Sequence, residues 1–158
     1  MKENYIKQFE QFYRMFSDIV NGFSDDAWVS VGHKLTVPQK LSFHILQSTK
    51  FYMTDTSNFE ECNGNTGLCH DYKIDNNFSI KKEEIIINIK KQYEKIKNWI
   101  ENIDLNEKNE KFPWTGKDIE SVVIFISRHS YYHLGELNCL LNENLLGEGD
   151  DFFAHNIW

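Results

Sequence analysis

Four stretches of this chain repeat large apolar residues at alternating steps of three and four, the spacing that lines one face of an α-helix. The first runs from about Tyr5 to Phe23, with Tyr5, Phe9, Phe12, Phe16, Ile19 and Phe23 on one seam. The second sets Leu41, His44, Ser48 and Phe51 on one line, flanked by Ile45 and Tyr52, until Asp55 turns the line polar. The third opens at Ser79, read as an N-cap, and reaches about Ile103 through Ile86, Ile89, Tyr93, Ile96 and Ile100. Its outer face is Lys90, Lys91, Glu94, Lys95 and Lys97. The fourth ends near Leu145 and aligns Ile119, Val122, Ile126, His129, His133 and Leu140. No strand-like alternation and no internal repeat competes with these seams. Amphipathic helices must bury their apolar stripes against one another, so the expected fold class is all-α, a four-helix bundle in a single domain spanning 1–158.

Caps and breaks divide the seams. Thr36-Val37-Pro38-Gln39 matches a capping box with proline in the first turn. Thr115, with Asp118 three residues on, reads as the cap of the fourth helix, and Gly147 as its stop. Residues 24–36 read as a turn and an irregular connection carrying His33, a loop histidine left outside any site. Residues 57–78 are rich in Asn, Gly and Asp without a period, a loop too long for a tight helical hairpin. They hold Cys62, Cys69 and His70, but six residues between cysteines fits none of the compact zinc-knuckle spacings. Residues 104–114 form a polar connection ending in Pro113-Trp114. The tail, 148–158, carries Phe152, Phe153, Ile157 and Trp158, and is expected to dock onto the bundle or onto a second subunit.

Composition narrows the classes of partner. A net charge of −7 over 158 residues repels the phosphates of nucleic acid. No run approaches the roughly 18 apolar residues that cross a bilayer, and Met1-Lys2-Glu3-Asn4-Tyr5 lacks the apolar core of a signal peptide. With three cysteines, an odd count, reduced thiols in a cytoplasm are the expectation.

The chemistry gathers at Arg128-His129-Ser130-Tyr131-Tyr132-His133-Leu134-Gly135-Glu136-Leu137. Histidines four apart on a helix lie one above the other, and here they sit on the inward line. His44, alone, reads as a core histidine hydrogen-bonded to a neighbour. Together with His129 and His133 it completes a set of three imidazoles that satisfy each other poorly in a bundle interior without a proton or a metal. A divalent ion with three protein ligands keeps a coordination position open, the arrangement of catalytic sites. Nitrogen ligation suits zinc, nickel or iron without choosing among them.

Several other chemistries are excluded. A zincin needs glutamate beside its first histidine, where this chain has Ser130. The paired Glu-x-x-His motifs of ferritin-like di-iron sites are absent, as are a glycine-rich phosphate loop and a Gly-x-Ser-x-Gly elbow. Cys139 falls off the histidine face and reads as a buried packing residue. Glu136 has two readings: an inward carboxylate that orients a ligand imidazole or acts as general base, or a rim carboxylate facing water. Tyr131 and Tyr132 flank the same face.

The string from His129 to Leu137, with Ser42-Phe43-His44-Ile45-Leu46-Gln47-Ser48 upstream, resembles the histidine segments of the DinB-like (YfiT-like) metalloenzyme superfamily. That resemblance implies an up-down-down-up bundle, the loop 57–78 joining two parallel middle helices. It implies a His44, His129, His133 metal site, usually nickel or zinc, and frequent homodimers. It also implies a thiol-dependent transferase or isomerase that uses a low-molecular-weight thiol of the bacillithiol, mycothiol or glutathione type; S-transfer to a small-molecule electrophile is the expected reaction, with a metal-dependent hydrolase as the other enzyme reading. The cysteine-bearing loop and aromatic tail depart from the pattern. A non-catalytic dimeric bundle that binds a metal or ligand in stress is the alternative. The flattest reading is a metal-free bundle whose histidines pair with Glu136 and the tyrosines.

Overall fold

A computed structural model describes residues 1–32, 37–53 and 79–145. They form five helices: α1 (Lys2–Gly22), α2 (Asp25–Ser30), α3 (Pro38–Met53), α4 (Lys82–Asn102) and α5 (Ile119–Asn144). Among the described residues there is no strand, only an isolated bridge between Lys108 and Asp118. The fold is all-α. The expected cap at Thr36, the loop 57–78 with Cys62, Cys69 and His70, the residues His33 and Asp55, the stop at Gly147 and the tail all lie outside the described residues.

Where the seams lie, helices form. Phe9, Phe12, Phe16 and Ile19 of α1 and Phe23 at its C-cap are buried, as the period requires, and Tyr5 is half-buried. In α4 the buried line is Ile85, Ile89, Gln92, Ile96 and Ile100. Ile86 and Tyr93, expected on that line, are only half-buried, because α4 packs on two helices and its apolar face is divided between them. One hydrophobic cluster draws on all five helices.

Three boundaries differ from expectation, each because side chains claim the backbone. Residues 24–30 hold the short helix α2, capped by Ser24, whose hydroxyl accepts the N–H of Ala27 at 3.2 Å. Its Trp28 is buried and donates its indole N–H to the carbonyl of Ile80 at 2.7 Å. Gln39 of α3 accepts the N–H of Ile80 at 3.1 Å, so this residue is anchored from two sides and α4 begins at Lys82 instead of just after Ser79. Asp118, not Thr115, caps α5, accepting the N–H of Ser121 at 2.9 Å; the same bonds hold its carboxyl below the usual range. Thr115 is spent in the preceding turn, donating to the carbonyl of Phe112 at 2.9 Å. Gly116 follows at φ +146, where an added Cβ would fall 2.4 Å from that of Ser121.

Helix α1 packs against α4 and α5, and α3 packs against the same two. Side-chain contacts give their directions. Lys2 at the start of α1 donates to the carbonyl of Glu101 at the end of α4, and Lys82 at the start of α4 donates to the carbonyl of Phe23 beyond the end of α1. These two helices are therefore antiparallel. Tyr5 donates to Glu120 at the first turn of α5, so α1 and α5 run in the same sense. His44 lies against His129 and His133 while Tyr52 lies against Phe125, so α3 opposes α5. No helix of the described residues is long and apolar enough to cross a membrane.

Candidate metal centre

Helix α3 is the most enclosed element: Gln39, Ser42, His44, Gln47, Ser48 and Thr49 are buried beside Leu41 and Ile45. A helix buried on several faces and rich in polar side chains must satisfy them internally. Two devices do so on the side that meets α5. Thr49 and Ser130 are both buried, their hydroxyl oxygens 3.4 Å apart. One turn toward the start of α3, His44 faces the other device, the histidines of α5.

The three imidazoles meet as expected. Their potential donor atoms all lie within 4.8 Å of one another, His44 and His133 being buried and His129 half-buried. Ring centroids are 4.6 Å apart for His129 and His133, 4.7 Å for His44 and His133, and 5.2 Å for His44 and His129. The Nε2 atoms of His129 and His133 stand 3.2 Å apart. Two nitrogens each about 2.0–2.1 Å from one ion would be separated by about 2.9 Å at a right angle and about 3.4 Å at a tetrahedral one. The α5 pair fits that interval, so this donor set could hold a divalent ion.

Glu136 is half-buried and reaches back to His133. Its Oε2 lies 2.7 Å from Nδ1 of His133, one turn back on the same helix. A carboxylate only accepts, so Nδ1 carries a hydrogen; in the neutral imidazole this leaves the lone pair on Nε2, the nitrogen that faces His129. This is the orienting contact that metal-bound histidines generally have, made by a carboxylate that also remains partly open to solvent. Burial, and then the neighbouring His133, push His129 down to about 4, which leaves its imidazole neutral near pH 7. A neutral imidazole is the ligating form.

Residues without a sequence motif complete the surroundings. Phe125 stacks on His129, with ring planes 12° apart and centroids 5.9 Å apart. It lies four residues before His129, a helical spacing that was available as a signal. Tyr52 packs edge-on against Phe125 at 4.8 Å, and Arg128 lies 5.5 Å from the centre of the same ring. Exposed Tyr132 sets its ring 5.1 Å from His133, whereas Tyr131 packs on Phe12 and donates to the carbonyl of Gln8. Cys139 is exposed rather than buried, its sulfur 3.8 Å from Glu143; it faces solvent because the buried line of α5 passes through Leu137 and Leu141. Ser130, in the position that a zincin gives to its base, is turned away from the histidines toward Thr49.

Comparison with protein-family models, with curated proteins and with solved structures finds no match to this chain. The residues of the site therefore carry the functional reading by themselves.

Proposed function

We propose that this chain is a divalent-metal enzyme of the DinB-like kind, a four-helix bundle of up-down-down-up order that joins a low-molecular-weight thiol to a small electrophile. The observation that carries the proposal is the meeting of His44, His129 and His133, with Glu136 hydrogen-bonded behind His133. The pairwise directions of α1, α3, α4 and α5 agree with that order.

His44, His129 and His133 would hold the ion; the resemblance makes it zinc or nickel, both suited to nitrogen ligands. Once bound, such an ion supplies Lewis acidity, lowering a thiol from its ordinary pKa near about 8.5 toward the reactive thiolate. Three protein ligands leave room for that exogenous sulfur, and no cysteine of the described residues competes for it, because Cys139 is turned to solvent. Glu136 orients the His133 ring and is a carboxylate in place to take up a proton. Phe125 offers an apolar wall against which an electrophile is held away from water. A thiol of the bacillithiol or glutathione type places the protein in the cytoplasm, and a homodimer is the assembly that the resemblance implies.

Elemental analysis of purified protein is the first test, with about one ion per chain expected in the wild type and almost none in His133→Ala. Equal metal content in the two proteins would remove the site. The second test supplies metal-loaded protein with bacillithiol, mycothiol or glutathione and an activated aryl chloride or an epoxide. A metal-bearing protein inert with all three thiols would point instead to a non-catalytic metal-binding bundle.

A further inference from the structure

A second concavity lies apart from the histidines. It is a partly open cleft of about 420 Å³ between the ends of α3 and α4, the start of α5 and the connection 104–118. Its walls include Tyr52, Trp99, Ile103, Phe112, Ile119 and Val122. Val122 is seven residues before His129, about 10 Å along the helix axis, and the rings of Tyr52 and Phe125 stand in the interval.

Polar and charged side chains of the connection edge its apolar walls, and a partly open cleft of this size keeps its shape only where those walls are held apart. Here the connection 104–118 does so through its own hydrogen bonds. Buried Asn109 donates to the carbonyls of Phe112 and Gly116 and accepts the N–H of Phe112. The N–H groups of Ile119 and Glu120 donate to the carbonyls of Glu107 and Leu105, pinning the connection to the first turn of α5. Phe112 is thereby held as a wall, edge-on to Tyr52 at 5.0 Å, while Tyr52 accepts the indole N–H of Trp114 at 3.4 Å. The result is a preformed space within the roughly 300–1,000 Å³ range of small-molecule sites.

We infer that this cavity is a binding site for a small, uncharged fused-ring aromatic molecule. The aromatic and aliphatic walls favour a planar apolar ligand, which meets the half-buried rings of Tyr52 and Trp99 with buried Phe112 packed behind Tyr52. The rim does not select a charge: Lys108 and Glu110 are paired at 3.1 Å, and acidic and basic residues share the opening. The site stands independently of any metal at the histidines.

The test is titration of the full chain with 2-naphthol, followed by methyl NMR. Saturable shifts at one equivalent are expected for Ile103, Ile119 and Val122, with no change at exposed Ile87 on the outer face of α4. Ile103→Trp, which fills the space, should weaken binding at least about tenfold while leaving the metal content unchanged. Shifts that do not saturate, shifts spread over exposed methyls, or full affinity in a folded Ile103→Trp would each overturn the inference. Should that variant fail to fold, the wild-type shift map decides by itself.

Discussion

The α1 side of the core and the α3–α5 seam follow the same three-and-four rhythm with opposite chemistry. Along α1, Phe9, Phe12 and Phe16 are buried beside Ile19, and Phe12 packs its ring on Tyr13, Phe16 and Tyr131. Between α3 and α5, imidazoles and hydroxyls take positions that aliphatic side chains would otherwise fill, and their burial is offset by hydrogen bonds and by the neutral imidazole of His129. The contrast teaches that periodicity specifies which face is buried, while residue type specifies whether that face stores stability or carries a site.

The sharpest way to break the comparison is to damage the apolar side alone. Phe12→Ala removes a fully enclosed ring and should cost about 3–5 kcal/mol in urea unfolding, while the folded fraction retains its metal. Loss of metal from folded Phe12→Ala would mean that the two regions are not separable. Next in size is Glu136→Gln, which keeps the volume of the side chain but weakens its hold on His133. Metal affinity measured by competition with a chelator should fall about 10–100-fold, with little change in the unfolding midpoint of the metal-free protein. Unchanged affinity would reduce Glu136 to a rim carboxylate.

Ser130→Ala removes the hydroxyl that faces Thr49 in the α3–α5 seam, at an expected cost of about 1 kcal/mol. Its metal content should match the wild type, since Ser130 faces away from the histidines. The smallest effect is on pH dependence. His129 has a folded pKa near 4 against an ordinary value of 6.5, so the unfolded chain binds more protons between those limits. Stability of the metal-free protein should therefore fall as pH drops from about 6.5 toward 4, and His129→Gln should flatten that slope. Because His129 is half-buried, solvent screening keeps the effect modest. Equal slopes in unfolding midpoints at pH 7, 5.5 and 4.5 would refute it.

Much of the helical frame was legible because a repeated apolar seam leaves a helix few alternatives. The seam of α1 is buried nearly as written, and His129 and His133 share a face because they are four apart. Boundaries were less legible: the competition between Thr115 and Asp118 for the α5 cap was decided by the turn around Asn109, which no local pattern announces. Cys139 was misread as buried, since an apolar residue near a seam can fall on either side of it until the neighbouring helices are placed.

By itself, the sequence determined that the chain is helical, that the two α5 histidines stand together, and that Ser130 cannot supply a protease base. Those are consequences of helical geometry within a few residues. Only the tertiary structure decided that His44 meets them, that Glu136 holds His133, and that Phe125 and Tyr52 separate the centre from a second cavity. The physical reason is range. A contact between α3 and α5 depends on how each helix divides its buried face among its neighbours, and that division is set by packing the whole core at once.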